Sequence, residues 1–111
     1  MKKLFFFLIV LGLMGLSSCE KTISGNGYVY DKVSQQPIAG ATISVYLEHP
    51  SPDTFQMETE TDNNGAYYAF SNPYSCTGSC PDLVVRIVAD GYQLEYVRNP
   101  NGDTTFLARK Q

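Results

Sequence analysis

The chain has 111 residues, 17% of them charged, a net charge of −3, no Trp, eight Tyr and nine Gly. That length makes one domain, which excludes a two-domain enzyme with a cleft buried between its halves. The acidic balance excludes binding of nucleic acid or anionic lipid through the protein's own electrostatics, and the composition excludes a disordered tail or a helical protein rich in Leu, Ala, Glu and Lys.

The N-terminus opens with Lys2 and Lys3, continues as an apolar run from Leu4 to Leu16 broken only by Gly12 and Gly15, and ends in small residues before Cys19. These are the three regions of a secretory signal. As a helix the run would span about 20 Å, short of the roughly 30 Å hydrocarbon core. Leu16-Ser17-Ser18-Cys19 resembles the lipobox of bacterial lipoproteins, in which the cysteine is acylated and becomes the first mature residue. The resemblance implies residues 1–18 as a signal peptide, Cys19 as the lipidation site, 19–22 as a lipidated tether and 23–111 as the folded domain. Two or three acyl chains make such an anchor stable. The 93 mature residues then carry six Lys and Arg against eleven Asp and Glu, a balance of −5. Glu20-Lys21-Thr22 provides neither an acidic export cluster nor the retention aspartate of some enteric lipoproteins.

From Ile23 onward, short runs of Val, Ile, Tyr, Phe and Thr alternate with Gly, Asn, Asp and Pro, which predicts an all-β domain of seven strands. The first is Ile23 to Tyr30. In the second, Ala41 to Glu48, Ile43, Val45 and Leu47 form an inward row and Thr42, Ser44 and Tyr46 an outward one. The third, Phe55 to Thr61, and the fourth, Ala66 to Ser71, flank Asp62-Asn63-Asn64-Gly65, whose residue types suit a tight hairpin turn. The apolar phase of Ala66-Tyr67-Tyr68-Ala69-Phe70 is blurred, which suggests a bulge or a strand buried on both faces. The fifth, Leu83 to Ala89, reads as a central strand. The sixth, Tyr92 to Val97, and the seventh, Thr104 to Ala108, are candidates for pairing as a hairpin.

With Cys19 lipidated, Cys76 and Cys80 are an even pair in an oxidising compartment, which predicts a disulfide that staples a loop. Their C-x3-C spacing lacks the two-residue gap of thioredoxin-like motifs. Zinc needs four ligands, and the only histidine, His49, stands far from the cysteines. No metal, cofactor or catalytic residue is therefore assigned. Glu58 and Glu60 share a face as a solvated pair, and Asp62 belongs to turn chemistry rather than to a calcium loop. Two loops stand out as binding elements: Glu48 to Asp53, stiffened by two prolines, and Ser71 to Pro81 with its cysteines. The tyrosine excess singles out Tyr28, Tyr30, Tyr46 and Tyr74 as a candidate binding surface, because Tyr28, Tyr30 and Tyr46 point away from the inferred core.

Four motifs in order, Gly27-Tyr28-Val29-Tyr30-Asp31, Gln36-Pro37-Ile38-Ala39-Gly40-Ala41-Thr42-Ile43, Thr61-Asp62-Asn63-Asn64-Gly65 and Val88-Ala89-Asp90-Gly91-Tyr92, resemble the carboxypeptidase regulatory-like domain. The resemblance covers residues 24 to about 108. It implies a transthyretin-like, seven-stranded antiparallel Greek-key β-sandwich that acts as an accessory or binding module without catalytic residues. The histidine-bearing first strand and the C-terminal Tyr-Arg-Gly-Ser of the hydroxyisourate hydrolases that share this architecture are absent. The expectation is a lipid-anchored, non-enzymatic module of the bacterial cell envelope, at the outer membrane, that binds or scaffolds a protein or glycan partner and no nucleic acid. The alternatives are a fimbrial-type subunit that assembles by strand addition and a small hydrolase dependent on His49.

Overall fold

The computed structural model describes residues 20–76 and 79–111; the expected signal peptide and Cys19 lie outside them. Among the described residues nine strands occur rather than seven: β1 (Glu20–Lys21), β2 (Ser24–Asp31), β3 (Thr42–Leu47), β4 (Phe55–Glu60), β5 (Ala66–Phe70), β6 (Tyr74–Ser75), β7 (Leu83–Val88), β8 (Glu95–Arg98) and β9 (Asn101–Leu107). A single 3-10 turn, Pro52–Thr54, precedes β4. The strands make a three-stranded sheet in the order β5-β2-β9, a four-stranded sheet in the order β4-β3-β7-β8, and the short pair β1-β6. Strand β1 occupies half of the segment 19–22 expected as a lipidated tether, with Glu20 opposite Ser75 and Lys21 opposite Tyr74.

Val29, Tyr67, Ala69 and Leu107 from one sheet meet Ile43, Val45, Leu47, Leu83, Val85 and Ile87 from the other in one core. The two sheets thus face each other as in a sandwich, each contributing the inward half of its alternating side chains. Strand β7 lies between β3 and β8, as its nearly unbroken apolar run suggests.

Four expectations are corrected. Strands β8 and β9 do not pair: β8 closes the four-stranded sheet and β9 crosses to the other one. Asn99, in the left-handed region at φ 50°, turns the chain there. Its side chain accepts from the Leu83 amide at 2.9 Å and donates to Asp82 at 2.9 Å. Because β9 arrives by this crossing, it runs parallel to β2, so the sandwich is not purely antiparallel. The turn at Asp62 to Gly65 likewise joins two strands in different sheets. Asp62 Oδ1 accepts from the Asn64 and Ala66 amides, both at 2.9 Å. Gly65, at φ 76°, has no room for a side chain, since a Cβ there would lie 2.5 Å from the Val29 carbonyl oxygen. Finally, β5 contains no bulge: Tyr67 and Ala69 are buried while Tyr68 and Phe70 are exposed. The blur in the sequence arises because both rows of this strand are aromatic or apolar.

Candidate functional site

The outward row of β2 is Ser24, Asn26, Tyr28 and Tyr30; the inward row, Gly25, Gly27, Val29 and Asp31, is buried. The register sets Phe70 beside Ser24, Tyr68 beside Asn26, Ala66 beside Tyr28 and Phe106 beside Tyr30. Three adjacent strands thereby gather five aromatic rings on the outer face of the three-stranded sheet. Tyr28 is 39% exposed, Tyr68 59%, Phe70 41% and Phe106 46%. Tyr30 and Phe106 meet edge to face with centroids 6.3 Å apart, and Tyr68 and Phe70 lie tilted at 5.8 Å. One ring pair is thus packed across two strands and the other along a single strand.

Beside Tyr68 the surface dips into a hollow of about 270 Å³ lined by Ser24, Asn26, Asn99, Pro100 and Asn101. The polar groups interleaved with the rings are amides and hydroxyls, with Thr104 next to Tyr28. The outward row of the three strands contains no charged side chain among the described residues.

The platform is held firmly from beneath. A Cβ on Gly25 would lie 2.7 Å from the Pro100 carbonyl oxygen, and one on Gly27 only 2.6 Å from the Tyr67 phenol oxygen. Tyr67 fills that space with its hydroxyl buried and without a hydrogen-bond partner among the described residues. Burial, reinforced by the nearby Asp103 charge, pushes its pKa up to about 12. At the far end of β2, Asp31 is 2% exposed. Its Oδ1 accepts from the Val33 and Ser34 amides at 2.8 and 3.0 Å, and its Oδ2 accepts from the Tyr92 hydroxyl at 2.6 Å and Arg109 Nε at 2.9 Å. These donors, Tyr92 foremost, hold the carboxyl well below the usual carboxylate range. An acid so fully bonded is a poor proton acceptor at neutral pH and acts as a structural clasp.

The four expected tyrosines fall in three places. Tyr28 and Tyr30 belong to the platform. Tyr74, 42% exposed, lies on β6 next to the disulfide. It lines a separate groove of about 340 Å³ with Glu48, Asp53, Pro73 and Pro81, between the two loops singled out in the sequence. Tyr46 is corrected: it is 9% exposed and buried on the four-stranded sheet, edge to face with Phe55 at 5.7 Å. Ser44, in the same row, is buried as well. Strand β3 is flanked on both sides, so even its outward row is covered by its neighbours.

Cys76 and Cys80 are joined in a disulfide with Cα atoms 5.3 Å apart. His49, Glu58 and Glu60 are exposed. Among the described residues no three His, Cys, Asp or Glu side chains gather as a metal site. Sequence reasoning missed Tyr68, Phe70 and Phe106. For the first two a period-two reading anchored on Tyr67 as a core residue would have found them. No family model matches the chain, and a search of the curated proteins finds no match.

Proposed function

We propose that this chain is a lipid-anchored, non-enzymatic module of the bacterial cell envelope that binds a glycan on the aromatic face of its three-stranded sheet. The observation that carries the reading is the set of exposed rings on three adjacent strands, interleaved with neutral amides and hydroxyls. Apolar ring faces with neutral hydrogen-bonding groups between them suit the alternating CH and OH surfaces of a sugar chain. The anchor in this reading is Cys19, and the fold is a carboxypeptidase regulatory-like Greek-key sandwich. Support for that family comes from the clasp, where Asp31 of the first motif bonds Tyr92 of the last, and from Thr61, whose hydroxyl accepts from the Ala41 amide at 2.9 Å and donates to the Ile38 carbonyl at 2.6 Å. The central strand β2 is paired on both sides by strands of the same chain, which favours a binding module over a subunit completed by a neighbour's strand.

The test is calorimetric titration of the full chain, in detergent micelles, with cellohexaose. Binding that weakens about fivefold or more in Tyr68→Ala and again in Phe106→Ala is the expected result. Absence of binding, or affinity unchanged in both variants, overturns the glycan reading. In-cell crosslinking to one envelope protein that those variants abolish would replace it with a protein partner.

A further inference from the structure

The four-stranded sheet carries a second hollow on the opposite face of the sandwich. The register sets Ser44, Arg86 and Tyr96 side by side across β3, β7 and β8. Tyr46, Phe55 and Tyr96 wall the hollow, and Pro50 and Pro52 of the stiff loop close one side. Its volume is about 360 Å³, at the small end of the roughly 300–1,000 Å³ range of ligand sites.

Arg86 lines it, half-buried, and its Nε is buried with no acceptor among the described residues. The other arginines described on the protein are engaged. Arg98 donates to Asp82 at 2.8 Å, and Arg109 to Asp31 at 2.9 Å. Glu58 lies on the same face, but Ser44 separates it from Arg86 and no ion pair joins them. That Nε has no surface open to the hollow, so a ligand there would meet the guanidinium at its Nη end.

We propose that this hollow binds a hexuronate unit, its carboxylate on the Arg86 guanidinium and its ring against Phe55 and Tyr96. The inference is independent of the glycan reading of the other face. A carboxylate matches the planar donor edge of a guanidinium with two parallel hydrogen bonds. Arg86 is the one charged side chain lining the hollow and balances one negative charge, which disfavours doubly charged phosphate. The ligand is a ring rather than an extended peptide for a backbone reason. Strands β3 and β7 are paired on both sides, so their amides and carbonyls are committed to the ladder and only side chains face the hollow. The Ser51 hydroxyl at the rim and the Tyr96 phenol offer partners for sugar hydroxyls.

The experiment titrates the full chain in detergent micelles with trigalacturonate, with the neutral galactotriose and with inorganic phosphate. Trigalacturonate should bind at least about tenfold more tightly than galactotriose, and R86Q should weaken it by about tenfold or more while R86K retains part of the affinity. Y96A, which truncates an exposed ring, should weaken it as well. Equal affinity for the charged and neutral sugars, no binding, or a folded R86Q that binds like the wild type overturns the proposal. Should R86Q fail to fold by circular dichroism, unchanged affinity in Y96A overturns it. Phosphate competing as well as trigalacturonate replaces the uronate with a simple oxyanion.

Discussion

At the scale of single residues, Asp31 ties the start of the chain to its end, since its partners Tyr92 and Arg109 stand 61 and 78 positions away. Its carboxyl is depressed in the folded state, so the stability it contributes is fully present above its unfolded pKa of about 3.9 and is lost as pH falls below that value towards the folded one. Urea midpoints measured from about pH 4 down to about pH 2 should therefore fall more steeply in the wild type than in Asp31→Asn, whose neutral side chain has already lost the charged bonds. Tyr67 makes an opposite point. Its hydroxyl is buried and without a hydrogen-bond partner among the described residues, so Tyr67→Phe should be neutral or stabilising by up to about 1 kcal/mol in denaturant unfolding. Gly27→Ala, which drives a methyl into that same phenol and the Asp103 carbonyl, should cost about 1–3 kcal/mol. Asp31 and Tyr92 were visible as motif residues, yet Arg109 was not, because nothing local to Ala108-Arg109-Lys110 shows that its guanidinium reaches a carboxylate 78 positions earlier in the sequence.

At the scale of elements, strand positions were legible and strand partners were not. Alternation and turn residues marked β2 to β5 and β7 to β9 within a few residues, because both signals are local. The two-residue strands β1 and β6 are too short to show a period. The crossing of β9 to the other sheet depends on Asn99 clamping Asp82 and Leu83 sixteen or seventeen residues earlier. Asn99→Ala should accordingly destabilise the fold by about 1–3 kcal/mol by leaving the Leu83 amide without its acceptor, as read by thermal unfolding. The disulfide encloses three residues, so the Cys76→Ser/Cys80→Ser pair should cost only on the order of 2 kcal/mol or less. Its larger effect should be faster proteolysis of the 71–81 loop, measured against the intact protein.

Over the whole molecule, the two sheets present different chemistry to solvent. One offers a neutral aromatic platform, the other a small hollow with one unengaged guanidinium in its lining. The proposed anchor bears on one end of the molecule. Strand β1 begins one residue after Cys19 and is paired to β6, next to the disulfide loop. An acyl chain on Cys19 would hold that end close to the bilayer. In cells fed a palmitate analogue, the wild type should be labelled and sediment with membranes, and Cys19→Ala should be unlabelled and lost from that fraction.

The sequence by itself determined the all-β class, the places where the chain turns, the cysteine pair and the motif residues. All of these follow from side-chain period, backbone preference and residue spacing, which are read over a few residues. Only the tertiary structure decided which strands share a sheet, that β2 and β9 run parallel, and which of two equally apolar rows faces water. A strand has two faces, and when both carry rings the alternation cannot say which is inside. That choice is made by strands far away in sequence: burial of Tyr67 and Ala69 against the opposing sheet turns Tyr68 and Phe70 outward, and the strands flanking β3 bury Tyr46.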